Sequence, residues 1–95
     1  MFDDLDPLLH SQLRLAIISI LIRDGKAEFT AIQNETGATA GNLSIQVNKL
    51  KEAGYIVVEK KFKGNYPQTQ CWITPLGVSN FNKYVEALRG YIGKS

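Results

Sequence analysis

A single cysteine, Cys71, and a single histidine, His10, occur among the 95 residues. One cysteine excludes an internal disulfide, so packing alone must hold the fold. A metal site takes about three or four ligands, and His10 with Cys71 falls short, so neither metal nor cofactor is expected. The sequence also lacks a nucleophile–base pair, a carboxylate pair with a histidine and a phosphate-binding glycine loop, which argues against an enzyme. Long apolar runs are missing too. The longest, Leu15 to Ile22, is broken only by Ser19 and is far shorter than the roughly 20 residues of a membrane span. Met1-Phe2-Asp3-Asp4 is acidic where a secretory signal is basic, so the expectation is a cytoplasmic protein with no membrane partner.

What is present is an ordinary globular composition, 44% hydrophobic and 21% charged, read as one domain over residues 1–95. A chain this short buries only about 60–65% of its unfolded surface, so a partner subunit is a natural way to cover the rest. The net charge of +2 is small, but it is unevenly spread. Lys49, Lys51, Lys60, Lys61 and Lys63 face only Glu52 and Glu59 over residues 39–70, while Asp3, Asp4 and Asp6 crowd the start. A basic end on an otherwise neutral or acidic fold suits a polyanion, although ordinary solvated lysines give the same pattern.

Apolar residues at three- and four-residue steps (Leu9, Leu13, Ala16, Ile17, Ile20, Leu21) predict a first helix from Pro7 or Leu8 to Arg23, capped by Asp6 and ended by Asp24-Gly25. Ala27-Glu28-Phe29 reads as a short extended piece. Thr30 with Gln33 reads as the capping box of a brief second helix closed by Gly37. Thr39 then caps a third helix through about Ala53, stopped by Gly54. Two helices joined by a short glycine-containing turn form a helix-turn-helix. In the third helix Leu43, Val47 and Leu50 make a narrow apolar stripe. The opposite face offers Gly41, Asn42, Ile45, Asn48, Lys49 and Glu52, a mixture suited to base edges and phosphates.

Tyr55–Phe62 reads as a strand and Gln70–Ile73 as its return. The turn-rich Lys63–Thr69 reads as a loop between them, giving a hairpin with a basic tip. Thr74 and Pro75 open a last helix whose apolar face runs through Leu76, Phe81, Tyr84, Val85, Leu88, Tyr91 and Ile92. The whole is an α+β winged helix-turn-helix: a three-helix core, a two-stranded β-wing plus a short strand, and a long C-terminal helix. Cys71 is expected to be a buried structural thiol.

The segments Thr39-Ala40-Gly41-Asn42-Leu43-Ser44, Leu50-Lys51-Glu52-Ala53-Gly54-Tyr55-Ile56, Lys61–Thr69 and Thr74-Pro75-Leu76-Gly77 resemble the compact winged-helix regulators related to the multiple-antibiotic-resistance (MarR) and arsenical-resistance (ArsR) families. The likeness covers nearly the whole chain. It implies that the third helix enters the major groove through Thr39, Asn42, Ser44, Ile45, Asn48 and Lys49. It also implies that the wing contacts DNA through Lys61, Lys63, Asn65 and Gln68. Ile45 stands where many relatives carry arginine, which removes a bidentate guanine contact and leaves either packing on a thymine methyl or a lost contact.

The apolar face of residues 75–92 exceeds what one small core needs. With Leu5, Leu8 and Leu9, the residues Phe81, Tyr84, Val85, Leu88 and Tyr91 are expected to form a two-fold dimer interface. The expectation is thus a sequence-specific regulator of transcription, binding double-stranded DNA as a homodimer on a pseudo-palindromic operator, and acting as a repressor. A small-molecule effector is left unidentified. The alternative is a winged-helix module that binds another protein instead of DNA.

Overall fold

The computed structural model describes residues 2–93. The elements run α1 (Gln12–Asp24), β1 (Lys26–Glu28), α2 (Phe29–Thr36), α3 (Ala40–Glu52), β2 (Ile56–Lys63), β3 (Tyr66–Ile73) and α4 (Pro75–Ile92). The strands form one antiparallel sheet in the order β1-β3-β2. One core unites the layers: Leu9, Ile17, Ile18, Leu21, Ile32, Leu43, Leu50, Ile56 and Cys71 are all fully buried. The stripe expected along the third helix, Leu43, Val47 and Leu50, is what α3 turns inward.

Three boundaries differ from the sequence expectation, each for a local reason. Asp6 does not cap α1. Its Oδ1 accepts from Leu8 N (2.9 Å) and its carbonyl from Leu9 N and His10 N, closing a separate turn. Ser11, extended at φ −149°, then caps the helix proper. Arg14 reaches back to donate to the carbonyl of Leu8 through Nε (2.6 Å), so the break leaves that acceptor satisfied. Thr30 does not open α2 either. Glu28 is still paired with Gln70 in the sheet, so strand passes directly into helix at Phe29, with no side-chain cap.

The third difference matters most. Residues 63–69 do not form a loop. Only Gly64 and Asn65 turn, Gly64 taking φ +64°, and Tyr66–Thr69 return as strand in register with Lys60–Lys63. A glycine at positive φ in the first position of a two-residue turn suits the twist of a tight hairpin. Pro67 is tolerated within β3 because β1 covers only Gln70–Trp72, leaving one edge open where the missing N–H is not needed.

The capping expectations at the two functional helices hold. Thr39 Oγ1 accepts from Asn42 N (3.2 Å) and Thr74 Oγ1 from Gly77 N (3.0 Å). Thr74 also donates its hydroxyl toward the carbonyls of Gly54 (2.7 Å) and Tyr55 (2.9 Å), tying the start of α4 to the foot of the wing. Tyr55 in turn donates to Asp6 Oδ2. Burial first, and this bond second, raise the affinity of the phenol for its proton.

Cys71 sits in the middle of the sheet with no exposure, and burial pushes its thiol pKa up to about 11. Only the thiolate reacts. At pH 8 the native protein should therefore resist a thiol-specific disulfide reagent. Addition of denaturant should release one equivalent within seconds, and rapid native labelling would show that the strand opens.

Candidate nucleic-acid interface

Two elements flank an open cleft of about 520 Å³: α3, and the near face of the β2–β3 hairpin. Side chains alternate across a strand, and the register sorts the hairpin into two faces. Val58, Lys60 and Phe62 share one face with Cys71, Thr69 and Pro67. Glu59, Lys61 and Lys63 share the other with Gln70, Gln68 and Tyr66. The first face lines the cleft: Val58, Lys60 and Thr69 stand opposite Ser44, Ile45, Asn48 and Lys51 of α3.

The residues expected on α3 converge well. Asn42, Ser44, Ile45, Asn48 and Lys49 are all exposed along the outer side of the helix, and Ile45 keeps 57% of its surface open. Thr39 is exposed at the helix start, where its hydroxyl oxygen is engaged as cap. Asn42 is also part of a side-chain chain: Arg14 Nη1 donates to Gln46 Oε1, and Gln46 Nε2 donates to Asn42 Oδ1 (3.1 Å).

The wing residues divide differently. Lys61 and Gln68 face each other across the hairpin on the side away from α3. There the Lys61 ammonium lies 5.4 Å from the centre of the Trp72 ring and 3.3 Å from Glu59 Oε1. Lys63 and Asn65 are exposed at the tip. Lys51 and Lys60, read from the sequence only as part of a basic end, and Thr69, not singled out there, are polar hairpin and helix residues that share the cleft with Asn48. Their alternation with Lys61 and Gln68 was the available signal, but it needed the strand register to be read.

The expected dimer contacts are divided as well. Leu9 and Tyr84 are buried within the chain's own core. Leu9 belongs to the turn closed by Asp6, and the Tyr84 hydroxyl bonds His10 Nδ1 (3.0 Å), so neither is available to a second copy without rearrangement. Leu5, Leu8, Phe81, Val85 and Leu88 are half-buried, and Tyr91 is exposed. Tyr91 stacks at a tilt on Phe2, ring centres 5.0 Å apart, and donates to the Asp3 carbonyl (2.8 Å). Phe2, Tyr91 and Ile92, the last 72% exposed, leave apolar surface uncovered at that end of α4.

An exposed ion cluster links α1 to α2: Arg23 donates to Asp24 and, in two bonds of 2.9 Å, to Glu35. The bonds to Arg23 hold both carboxyls below their ordinary range. In full solvent such pairs add little to stability. No group of His, Cys, Asp and Glu suited to a metal ion occurs among the described residues, and no described helix is long and apolar enough to cross a membrane.

A helix-turn-helix whose second helix faces a two-stranded wing, backed by a long C-terminal helix, defines the winged helix class. Residues 13–92 match the winged helix DNA-binding domain family, and the chain belongs to it. No curated protein sequence matches the chain. Among solved structures it is similar to a transcriptional regulator homologue from Pyrococcus horikoshii, with 28% identity and a TM-score of 0.83, covering 90% of this chain and 84% of that one. It is similar in fold to the YusO protein of Bacillus subtilis (12% identity, TM-score 0.77, covering 86% of this chain and 57% of that one). It is likewise similar in fold to PadR of Bacillus subtilis, solved in complex with operator DNA (18% identity, TM-score 0.70, covering 79% and 48%). The family match and these structures agree with the winged-helix fold that the resemblance in the sequence implied.

Proposed function

We propose that the protein is a sequence-specific regulator of transcription that binds double-stranded DNA as a homodimer on a pseudo-palindromic operator and represses by covering a promoter. The observation that carries this reading is the cleft between α3 and the hairpin. It sets Lys51 and Lys60 beside the polar, groove-facing side of α3. A duplex whose major groove receives α3 must send its phosphate ridge past the wing, and two lysines there meet that charge. Asn42, Ser44, Ile45 and Asn48 select bases, with Thr39, Lys49, Lys63 and Asn65 at the flanking backbone. The regulator homologue from Pyrococcus horikoshii and the operator complex of PadR support the same use of the fold.

The dimer draws on the apolar surface left uncovered near the end of α4. Residues 1–95 act as one DNA-binding unit, and Phe2, Leu5, Leu8, Val85, Leu88, Tyr91 and Ile92 meet their counterparts about a two-fold axis. Two copies of α3 then address major grooves about 34 Å apart.

Fluorescence anisotropy of a labelled random-sequence duplex, titrated with protein at several salt concentrations, tests the reading. Binding should weaken steeply with salt, and log affinity should fall linearly with log salt. Sedimentation of the protein alone at micromolar concentration should give twice the 10.6 kDa chain mass. Absence of DNA binding at low salt overturns the DNA-binding reading, and a single 10.6 kDa species overturns the dimer.

A further inference from the structure

The hydrogen-bond chain that ends on Asn42 begins in the N-terminal turn, and its direction is fixed by chemistry. Arginine can only donate. Arg14 gives Nε to the Leu8 carbonyl (2.6 Å) and Nη1 to Gln46. Gln46 must therefore present its oxygen to Arg14, and its other amide atom, Nε2, is left to face Asn42. That nitrogen also only donates. Asn42 must meet it with Oδ1, and the contact is 3.1 Å. Each amide is oriented by the one before it, so the usual ambiguity between amide oxygen and nitrogen is resolved by a guanidinium that has no acceptor to offer. The N-terminal end of Arg14 is itself anchored, because the turn that supplies Leu8 is closed by Asp6.

The consequence falls at the third residue of α3. An asparagine with both amide atoms free suits adenine, accepting from N6 while donating to N7. Asn42 has its oxygen turned along the helix toward Gln46, which takes one of its two lone pairs and favours the use of the Nδ2 protons on a base. We propose that Asn42 is a specificity-determining residue that reads as a donor. It selects a base edge bearing acceptors in the major groove, guanine with its O6 and N7, over adenine. Arg14 and Gln46 are the positioning residues that set this choice without touching DNA. The inference rests on the DNA-binding reading above and assigns the polarity of one contact within it.

Gln46→Glu tests it, because the replacement is nearly isosteric and keeps the bond from Arg14. A carboxylate at this position has no donor for Asn42 Oδ1, so the Asn42 amide turns round to donate Nδ2 to it and shows its oxygen to the groove. Both proteins would be taken through selection of randomised duplexes, with thermal melts to show that each is folded. The wild type should enrich guanine at one position of each half-site. The variant should shift that position toward adenine or cytosine, whose amino groups donate, by roughly fivefold to tenfold in relative preference. The added negative charge lowers affinity for all sequences alike, so the base ratio is the readout.

A second measurement needs no DNA. In the nuclear magnetic resonance spectrum of the free protein, the Gln46 side-chain amide should be protected from exchange with water and the Asn42 amide should not. Enrichment by the wild type with no change at any position in the variant overturns the inference, as does the reverse protection pattern. Failure of the wild type to enrich any sequence overturns the sequence-specific reading itself.

Discussion

Replacing Gly77 with alanine is expected to lower the melting temperature by roughly 4–24 °C. In an ordinary helix the same change stabilises by roughly 0.5–1 kcal/mol, so the expected sign is reversed here. The reason is contact. A Cβ at position 77 would lie 2.3 Å from the Tyr55 carbonyl oxygen and 2.8 Å from Ile73 Cδ1. The isoleucine tip can swing aside, but the carbonyl cannot. It accepts from both the backbone N–H (3.1 Å) and the hydroxyl (2.9 Å) of Thr74. Relief must come from lifting the first turn of α4 off the foot of the wing, which breaks the Thr74 bonds. Overpacking of this kind costs about 1–3 kcal/mol, and each kcal/mol moves a domain of this size by roughly 4–8 °C. Circular dichroism melts of the two proteins decide the matter. An equal or higher melting temperature in Gly77→Ala would show that the helix can be seated elsewhere.

The second large effect concerns the cleft. Lys51→Ala/Lys60→Ala is expected to weaken binding to duplex DNA roughly tenfold or more near 0.1 M salt, and to reduce the slope of log affinity against log salt by about 2. Lys61→Ala, by contrast, is expected to change affinity no more than about twofold and the slope by less than 1. Both variants remove exposed lysines from the same region, so a general electrostatic field would penalise each in proportion to charge lost. The geometry predicts otherwise. Lys60 faces α3 across the cleft, whereas Lys61 is on the opposite face with Glu59 and Trp72 already beside it. Equal losses per lysine would mean that DNA wraps both faces of the wing.

These differences show what could be read before folding and what could not. The third helix was legible because its signals are local: Thr39 caps it, and Leu43, Val47 and Leu50 recur on one side. The same holds for Thr74 and Pro75 at α4. The first helix was placed four or five residues early because Asp6 and Ser11 are both good caps, and the choice between them depends on Arg14 reaching the Leu8 carbonyl, a tertiary contact. The wing was the harder case. Ile56, Val57 and Val58 put apolar side chains on both faces of β2, so the alternation that would have assigned Lys60 and Lys61 to opposite sides was masked. Gly64, Asn65 and Pro67 then disguised five residues of strand, Lys63 and Tyr66–Thr69, as loop. The polarity of Asn42 was out of reach, since Arg14 lies 28 positions upstream.

Thr74 has a mechanical consequence for the assembly. Its hydroxyl bonds two consecutive carbonyls, those of Gly54 and Tyr55, at the point where α3 has just ended, while its own residue caps α4. The helix proposed to reach the dimer contact, α4, and the helix proposed to read DNA, α3, are thus joined through a hydrogen-bonded elbow. The proposed dimer, built on such elbows, would act as a caliper of fixed opening. Inserting one base pair between the half-sites moves them apart by about 3.4 Å and rotates one by roughly 34°, and the arms have no slack with which to follow.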